Sequence, residues 1–190
     1  LMQHHRQKEA FKMFTDVLKE EPENSYAQMS LYDYYKATQQ EDQAHQMLDK
    51  ILLSPKTDLE TKVMMFRSFI QDNETHGGDS TQVVALFDKV LDVPQPSADV
   101  AEMRAAYMSL KKMPDSIIGK AYEKVLAIAP DNVNARLQLV QLLWNQKDYT
   151  SVIAQSKAAH AYNPEEMVFY YFGGMAHYQK NDEDAALHEF

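Results

Sequence analysis

Helix-spaced apolar pairs recur along this chain at a nearly constant distance. Each pair is a small or apolar residue followed, four positions later, by a mostly bulky residue, so both members lie on one face of a helix. The second members follow one another by 34, 39, 35, 34 and 34 residues. Extra loop residues in the stretch DNETHGGDS, 72–80, account for the long step. The pairs are Ala10/Phe14, Ala44/Leu48, Val83/Phe87, Ile118/Tyr122, Val152/Ser156 and Ala186/Phe190. This period predicts a chain of repeated units.

A proline follows five of these helices at a nearly constant distance. Pro22, Pro130 and Pro164 lie eight residues after the second member of their pair, and Pro55 and Pro94 lie seven residues after theirs. Proline cannot continue a helix interior, because it lacks the N–H and clashes with the preceding turn. Acidic and N-cap residues follow in the stretches ENS, DNV and EEM, which suits the start of a new helix. Each proline therefore ends one unit and precedes the next.

The first helix of each unit is predicted between a proline and the next short turn, and the apolar pairs lie on the second helix. The turns contain QQED, MPDS, QKDY and KNDE. The predicted helices span 24–38, 58–71, 97–112, 132–146 and 165–180. Each unit is thus a helix, a tight turn, a second helix and a proline, and stacking of neighbouring units would bury the apolar faces. An irregular helical bundle is the alternative, but it gives no reason for a constant period.

Charge and composition argue against several classes of function without identifying one. The 190 residues carry a net charge of -9, which disfavours a general nucleic-acid or anionic-membrane surface. There is no cysteine, so disulfides, thiolate metal sites and cysteine nucleophiles are excluded. No apolar run approaches the roughly 20 residues that span a bilayer. The chain begins without a signal-peptide pattern and stops within a helical pattern, so we interpret it as a fragment of a longer protein.

No catalytic, cofactor or metal motif emerges. The sequence has no Gly-x-Ser-x-Gly elbow, no phosphate-binding loop and no dinucleotide fingerprint. His4 and His5 could meet Glu9 on one helical turn, but a solvated polar end is the favoured interpretation. None of the histidines has the spacing of a metal site; they are His4, His5, His45, His76, His160, His177 and His188. Gly173-Gly174 lies inside a helical segment, which favours close packing of a neighbour over a phosphate loop.

At this point the units resemble the tetratricopeptide repeat (TPR) family. Its pattern is an aromatic, Leu-Gly, Tyr, then Ala, Phe and Pro at fixed intervals. The last unit supplies Tyr170, Gly173-Gly174, His177, Ala186 and Phe190. Corresponding residues in the second unit are Gln28, Leu31, Tyr32, Tyr35, Ala44, Leu48 and Pro55, and a more degenerate unit has Arg136, Leu139, Val140, Leu143, Val152, Ser156 and Pro164. The resemblance covers essentially the whole chain. It implies an all-α, right-handed superhelical solenoid of five to six stacked antiparallel helix pairs, with units at 1–22, 23–55, 56–95, 96–130, 131–164 and 165–190.

The resemblance also implies a concave binding face lined by the first helix of each pair. Carried onto this chain, that face has a set of residues three or four positions apart. The set is Tyr26, Met29 and Asp33; Val63, Arg67 and Ile70; Met103, Tyr107 and Lys111; Leu137, Gln141 and Trp144; and Tyr171, Met175 and Tyr178. Those we expect to contact a partner are Tyr26, Asp33, Arg67, Tyr107, Gln141, Trp144, Tyr171, Met175 and Tyr178.

Aromatic and Met side chains at the C-terminal end of this set are the most suggestive. Trp144, Tyr171, Met175 and Tyr178 could form a groove for a partner segment, or the rings could pack between adjacent units. Some family members hold a terminal carboxylate with Lys, Asn and Arg, but the comparable places here hold Met29, Asp33 and Val63. We therefore predict no carboxylate clamp.

The predicted function is a non-enzymatic scaffold or adaptor that binds a peptide or a partner protein. The alternative is a regulatory or assembly segment of a larger sensor, transcription regulator or enzyme whose active domain lies outside these residues. No cofactor, metal, nucleic acid or membrane span is expected. The residue style favours a bacterial origin, and the absence of cysteine favours the periplasm over the cytoplasm. Oligomeric state and the identity of the partner stay open.

Overall fold

The protein is described by a computed structural model that covers the backbone of residues 2–189 and the side chains of residues 8–189. Residues 2–189 contain helices and no strand. The helices belong to two compact units, Leu1–Val93 (unit 1) and Pro94–Phe190 (unit 2). Unit 1 contains α1 (Met2–Glu20), α2 (Ser25–Ala37), α3 (Glu41–Leu53), α4 (Leu59–Thr75) and α5 (Ser80–Leu91). Unit 2 contains α6 (Asp99–Leu110), α7 (Asp115–Ile128), α8 (Val133–Asn145), α9 (Tyr149–Tyr162), α10 (Met167–Gln179) and α11 (Glu183–Glu189). The all-α prediction is confirmed.

Consecutive helices pack against each other within each unit. The helix-spaced pairs form much of the buried surface: Ala44, Leu48, Val83, Phe87, Ile118, Tyr122, Val152, Ser156 and Ala186 are all buried. Phe190, which pairs with Ala186, lies outside the described residues, as do the side chains of His4 and His5. Two fully buried aromatic rings, Phe66 of α4 and Phe87 of α5, stack on each other in unit 1. The Phe66 and Phe87 ring centroids are 4.4 Å apart and the rings are nearly parallel.

Side-chain caps start several of the helices. Asn24 and Asn132 accept hydrogen bonds from the backbone N–H three residues on, at 3.0 and 2.9 Å. Asp58 and Asp148 do the same for α4 and α9. Such a cap satisfies one of the N–H groups that a helix start leaves without an internal partner. The helix starts predicted after Pro22 and Pro130 therefore have a direct physical cause.

A residue with positive φ occupies the turn inside each helix pair. In chain order these are Gln39, Gly77, Lys112, Lys147 and Asn181, with φ between 52° and 65°. A left-handed residue reverses the chain direction directly after a helix, and glycine adopts this conformation without strain. Only one of the five positions carries glycine, and Asn181 is of a type that tolerates this conformation, so Gln39, Lys112 and Lys147 are the residues held in a disfavoured one.

The long step in the period is only partly a loop. We expected residues 72–80 to be an enlarged connection, but α4 continues to Thr75 and only residues 76–79 separate it from α5. Thr75 and His76 side chains contact the Asp72 carbonyl oxygen at 2.9 and 2.8 Å. The stretch QDNET contains no proline or glycine, so nothing in it stops the helix before Gly77.

Three helix pairs share a hydrogen bond from a side chain of the first helix to the proline that precedes the pair. Gln28 Nε2 donates to the Pro22 carbonyl at 2.8 Å, and Arg136 donates to the Pro130 carbonyl at 2.5 Å. Tyr170 Oη donates to the Pro164 carbonyl at 3.1 Å. Three different side chains thus satisfy the same backbone oxygen, six residues upstream in each case. This bond ties the proline turn to the helix that follows it.

Candidate functional site

Four exposed amide side chains form a stripe along α8. Asn134, Gln138, Gln141 and Asn145 are all exposed, and their spacing of four, three and four residues places them on one side of the helix. None of the four side chains makes a hydrogen bond to another described residue. Each amide offers a donor and an acceptor. The stripe is about 16 Å long at 1.5 Å per residue.

An exposed aromatic and methionine stripe follows α10. Met167, Tyr171 and Tyr178 lie at intervals of four and seven residues, and the two tyrosines are 55% and 58% exposed. Met175 is half-buried. It lines, with Tyr178, a cleft of about 420 Å³ that also contacts Glu183, Ala186 and Leu187 of α11.

A second cleft lies between α6 and α8, with α7 at its base. Its volume is about 420 Å³, within the range of 300–1,000 Å³ typical of ligand pockets. The lining residues are Glu102, Met103 and Ala106 of α6, Tyr122 of α7, and Asn134, Ala135 and Gln138 of α8. The amide stripe of α8 therefore borders this cleft.

We call these exposed side chains the first-helix face of unit 2: Glu102 and Ala106 of α6; Asn134, Gln138, Gln141 and Asn145 of α8; and Met167, Tyr171 and Tyr178 of α10. Trp144 and Phe172 link α8 to α10, with ring centroids 5.8 Å apart.

Formal charge is scarce on this face. Asp, Glu, Lys and Arg are absent from α10, and Arg136 is the only one of them in α8. Arg136 is buried, and its guanidinium is bound to Gln155 and to the Pro130 carbonyl. Burial lowers the pKa of this guanidinium. A chain with a net charge of -9 thus has an uncharged surface along two neighbouring first helices.

Two of the predicted contact residues, Tyr107 and Trp144, are covered by neighbouring side chains to different extents. Tyr107 is only 5% exposed, so it offers almost no surface to a partner. Trp144 is half-buried against Tyr149 of α9 and Phe172 of α10, at 5.3 and 5.8 Å between ring centroids. Packing of the Trp144 ring between adjacent helix pairs was the alternative that the sequence left open, and a direct contact of Trp144 with a partner stays a prediction. We expect the main effect of truncating Trp144 to be a lower free energy of unfolding.

In unit 1, the predicted residues Tyr26, Asp33 and Arg67 are all exposed on first helices. The ring of Tyr26 contacts Phe14 edge-on, at 5.8 Å between centroids. Desolvation by surrounding atoms raises the pKa of the Asp33 carboxyl, although the residue as a whole is exposed. These side chains are accessible, but they are mixed in charge, unlike the first-helix face of unit 2.

Groups of three or more His, Asp or Glu that could hold a metal ion are absent from the described part of the chain. Within the same residues, no helix is long and apolar enough to cross a membrane. His177 is half-buried, with its Nδ1 3.4 Å from an Asp182 carboxyl oxygen. The interpretation of this histidine as a packed side chain agrees with that position.

Comparison with known proteins identifies the fold. No protein-family model matches the sequence, and no curated protein matches it either. Among solved structures, MamA aligns over 89% of this chain and 89% of its own, with 15% identity and a TM-score of 0.52. A second structure, MamA AMB-1, gives 16% identity, 87% coverage of each chain and a TM-score of 0.52. YrrB, described as a TPR protein with an unusual peptide-binding site, covers 93% of this chain and 88% of its own, with 16% identity and a TM-score of 0.49.

MamA is a TPR protein. The chain has the tetratricopeptide-repeat fold, as the resemblance of its units to that family implied. At this level of identity the comparison establishes the fold alone.

Sequence reasoning missed most of the amide stripe. It selected Gln141 but not Asn134, Gln138 or Asn145. A signal was present, because four amides at helical spacing in a segment with one charged residue are visible in the sequence. The missed cleft residues Glu102, Ala106 and Tyr122 carry no such signal, because they converge only when α6, α7 and α8 pack together.

Proposed function

We propose that this chain is a non-enzymatic protein-interaction module that binds an extended segment of a partner protein on the first-helix face of unit 2. The observation that carries the proposal is the accessible, uncharged surface of four unpaired amides beside exposed Tyr and Met side chains. Protein interfaces are depleted in charged residues at their core and enriched in Tyr and Met. Such a surface is suited to recognition through hydrogen bonds and apolar contacts along the segment rather than through many ion pairs.

Hydrogen-bonding geometry favours an extended segment over a helical one. An extended chain exposes backbone N–H and C=O groups every 3.3 Å or so, whereas a helix satisfies its own. The amides of Asn134 to Asn145 span about 16 Å, which corresponds to about five residues of extended chain. Each amide can donate to a carbonyl and accept from an N–H. Tyr171 and Tyr178 would then cover apolar side chains of the same segment.

The remaining predicted contact residues extend this proposal. Gln141, Tyr171, Met175 and Tyr178 belong to or adjoin the first-helix face of unit 2. Tyr26, Asp33 and Arg67 offer a separate accessible surface in unit 1. Gln141 and Tyr171 are the sharpest test positions, because both are exposed and lie on different helices.

Affinity capture from the native cell tests the proposal with matched double variants. Wild type is compared with Gln141→Ala/Tyr171→Ala and with Lys124→Ala/Lys157→Ala, which changes exposed residues of α7 and α9. We expect the first variant to lose a partner that wild type and the second variant retain, with at least a tenfold weaker Kd. The free energies of unfolding of all three proteins should lie within about 0.5 kcal/mol of one another, because the changes are at exposed positions. A partner retained equally by both variants would refute the assignment to this face.

A further inference from the structure

The cleft between α6 and α8 combines an apolar interior with one carboxylate. Met103, Ala106, the Tyr122 ring and Ala135 supply the apolar lining, and the cleft volume is about 420 Å³. Ala135 and Tyr122 are buried, so they form the floor rather than the rim. Burial of an apolar side chain is favourable in proportion to the area it removes from water. The cleft is therefore suited to one bulky apolar side chain of a partner.

Glu102 is the only charged residue that lines this cleft among the described residues. Its carboxylate is held in place by Asn132, whose Nδ2 donates to Oε1 at 2.6 Å. Asn132 is itself fixed as the cap of α8, since its Oδ1 accepts from the Ala135 backbone N–H. The second carboxylate oxygen, Oε2, makes no hydrogen bond or ion pair to another described residue. A pre-oriented acceptor thus remains available at the rim.

Amides complete the rim opposite this carboxylate. Asn134 and Gln138 of α8 border the cleft with exposed side chains that have no partner among the described residues. They can bind the backbone of a segment whose side chain enters the cleft. Glu102 and Met103 both line the cleft, so the carboxylate borders the same space as the apolar lining.

We infer that the α6–α8 cleft selects a partner segment in which a bulky apolar residue lies within two positions of a Lys or Arg. The apolar side chain fills the space between Met103 and Tyr122. The cation pairs with the free oxygen of Glu102, where a charge-assisted hydrogen bond is stronger than a neutral one. The inference rests on the proposed binding of an extended segment to the first-helix face of unit 2, and it specifies the chemistry of that segment.

Selection of random displayed peptides on the whole 190-residue chain tests this specificity. We expect the selected peptides to share a large apolar residue with Lys or Arg one or two positions away. A synthetic peptide of the consensus should bind Glu102→Gln about fivefold more weakly than wild type. Glu123→Gln, the same change at an exposed position of α7 that does not line the cleft, should leave the Kd unchanged.

A second peptide separates pairing from a general charge effect. Replacement of the basic residue of the consensus by Gln should weaken binding to wild type by about the same factor. The same peptide should bind Glu102→Gln no worse than it binds wild type, because the partner charge is already absent. Independent, additive losses would overturn the pairing of the peptide cation with Glu102.

Failure of this inference is distinguishable from failure of the proposed function. Peptides that depend on Gln138 and Tyr171 but carry no basic residue, and that bind Glu102→Gln normally, would overturn the cleft specificity and leave the binding face in place. Selected peptides whose binding is unchanged by Gln138→Ala and Tyr171→Ala would overturn both. The same conclusion would follow if no peptide were enriched.

Discussion

Alanine at two helical glycines of unit 2 is predicted to have opposite effects on stability. Gly119 is inside α7 and Gly173 is inside α10, so alanine gains about 1 kcal/mol of helix propensity at either position. A Cβ at Gly119 would meet only a Leu139 methyl carbon at 3.7 Å, an ordinary contact. A Cβ at Gly173 would lie 3.2 Å from the Ser156 Cβ and 3.3 Å from a Glu189 carboxyl oxygen. Ser156 is fully buried on α9, so its Cβ cannot move away without a shift of the helix.

The magnitudes follow from these distances. Gly119→Ala should raise the free energy of unfolding by about 1 kcal/mol, which corresponds to about 2–4 °C in Tm for a chain of this size. At Gly173 the overpacking cost of about 1–3 kcal/mol exceeds the propensity gain, so Gly173→Ala should be destabilising by about 1 kcal/mol. Urea denaturation followed by circular dichroism measures both. Equal stabilisation by the two alanines would refute the close approach of α9 and α10 at Gly173.

Three further predictions concern the turns, the proline carbonyls and a buried amine. Lys147 has φ of 60°, so Lys147→Gly should raise the free energy of unfolding by about 1 kcal/mol. Gln146→Gly, the control at φ of -79°, should lower it. Urea denaturation that ranks the two variants the other way would contradict the left-handed turn. Arg136→Met leaves the Pro130 carbonyl without its donor and should lower the free energy of unfolding by about 1–3 kcal/mol. Arg136→Gln should lower it less, since Gln28 makes the equivalent bond to Pro22. Equal melting temperatures of the two variants would argue that the bond to the proline carbonyl does not stabilise the fold. Lys62 is 6% exposed, and burial lowers its pKa from 10.5. Lys62→Met should therefore stabilise the protein by about 1 kcal/mol near neutral pH. Lys120→Met, the same change at an exposed position, should leave stability unchanged. Between the folded-state pKa and 10.5, the unfolded chain binds more protons at this lysine than the folded chain does. The stability of the wild type therefore rises as the pH increases through that window, and the stability advantage of Lys62→Met should shrink. An advantage that stays constant with pH would contradict the burial of the charge.

Much of the fold was predictable because local rules and the period agree. Proline positions marked the ends of units, and Asn24 and Asn132 marked the helix starts by the same capping bond. The pairs such as Val83/Phe87 identified the buried face. Only the insertion was misjudged, because a stretch without proline or glycine can extend a helix as readily as a loop. These features depend on residues close together in the chain.

The candidate site was less predictable, because exposure on a helix depends on its neighbours. Carrying the family pattern onto α6 selected Met103 and Tyr107, whereas Tyr107 is buried and Glu102 and Ala106 face solvent. One residue corresponds to a rotation of about 100° around a helix. A helical period therefore identifies a face only to within one position.

The sequence by itself determined the helical repeat, the places where several helices begin and end, and the uncharged or nearly uncharged composition of α10 and α8. These properties come from backbone sterics, capping and residue chemistry, which act over a few positions. Tertiary structure decided which aromatic rings are accessible: Trp144 packs on Tyr149 and Phe172, whereas Tyr171 remains 55% exposed. It also brought Glu102, Tyr122 and Gln138 to one cleft from three helices. Side chains that are distant in sequence meet only when helices pack, so no local pattern specifies which of them share a binding site.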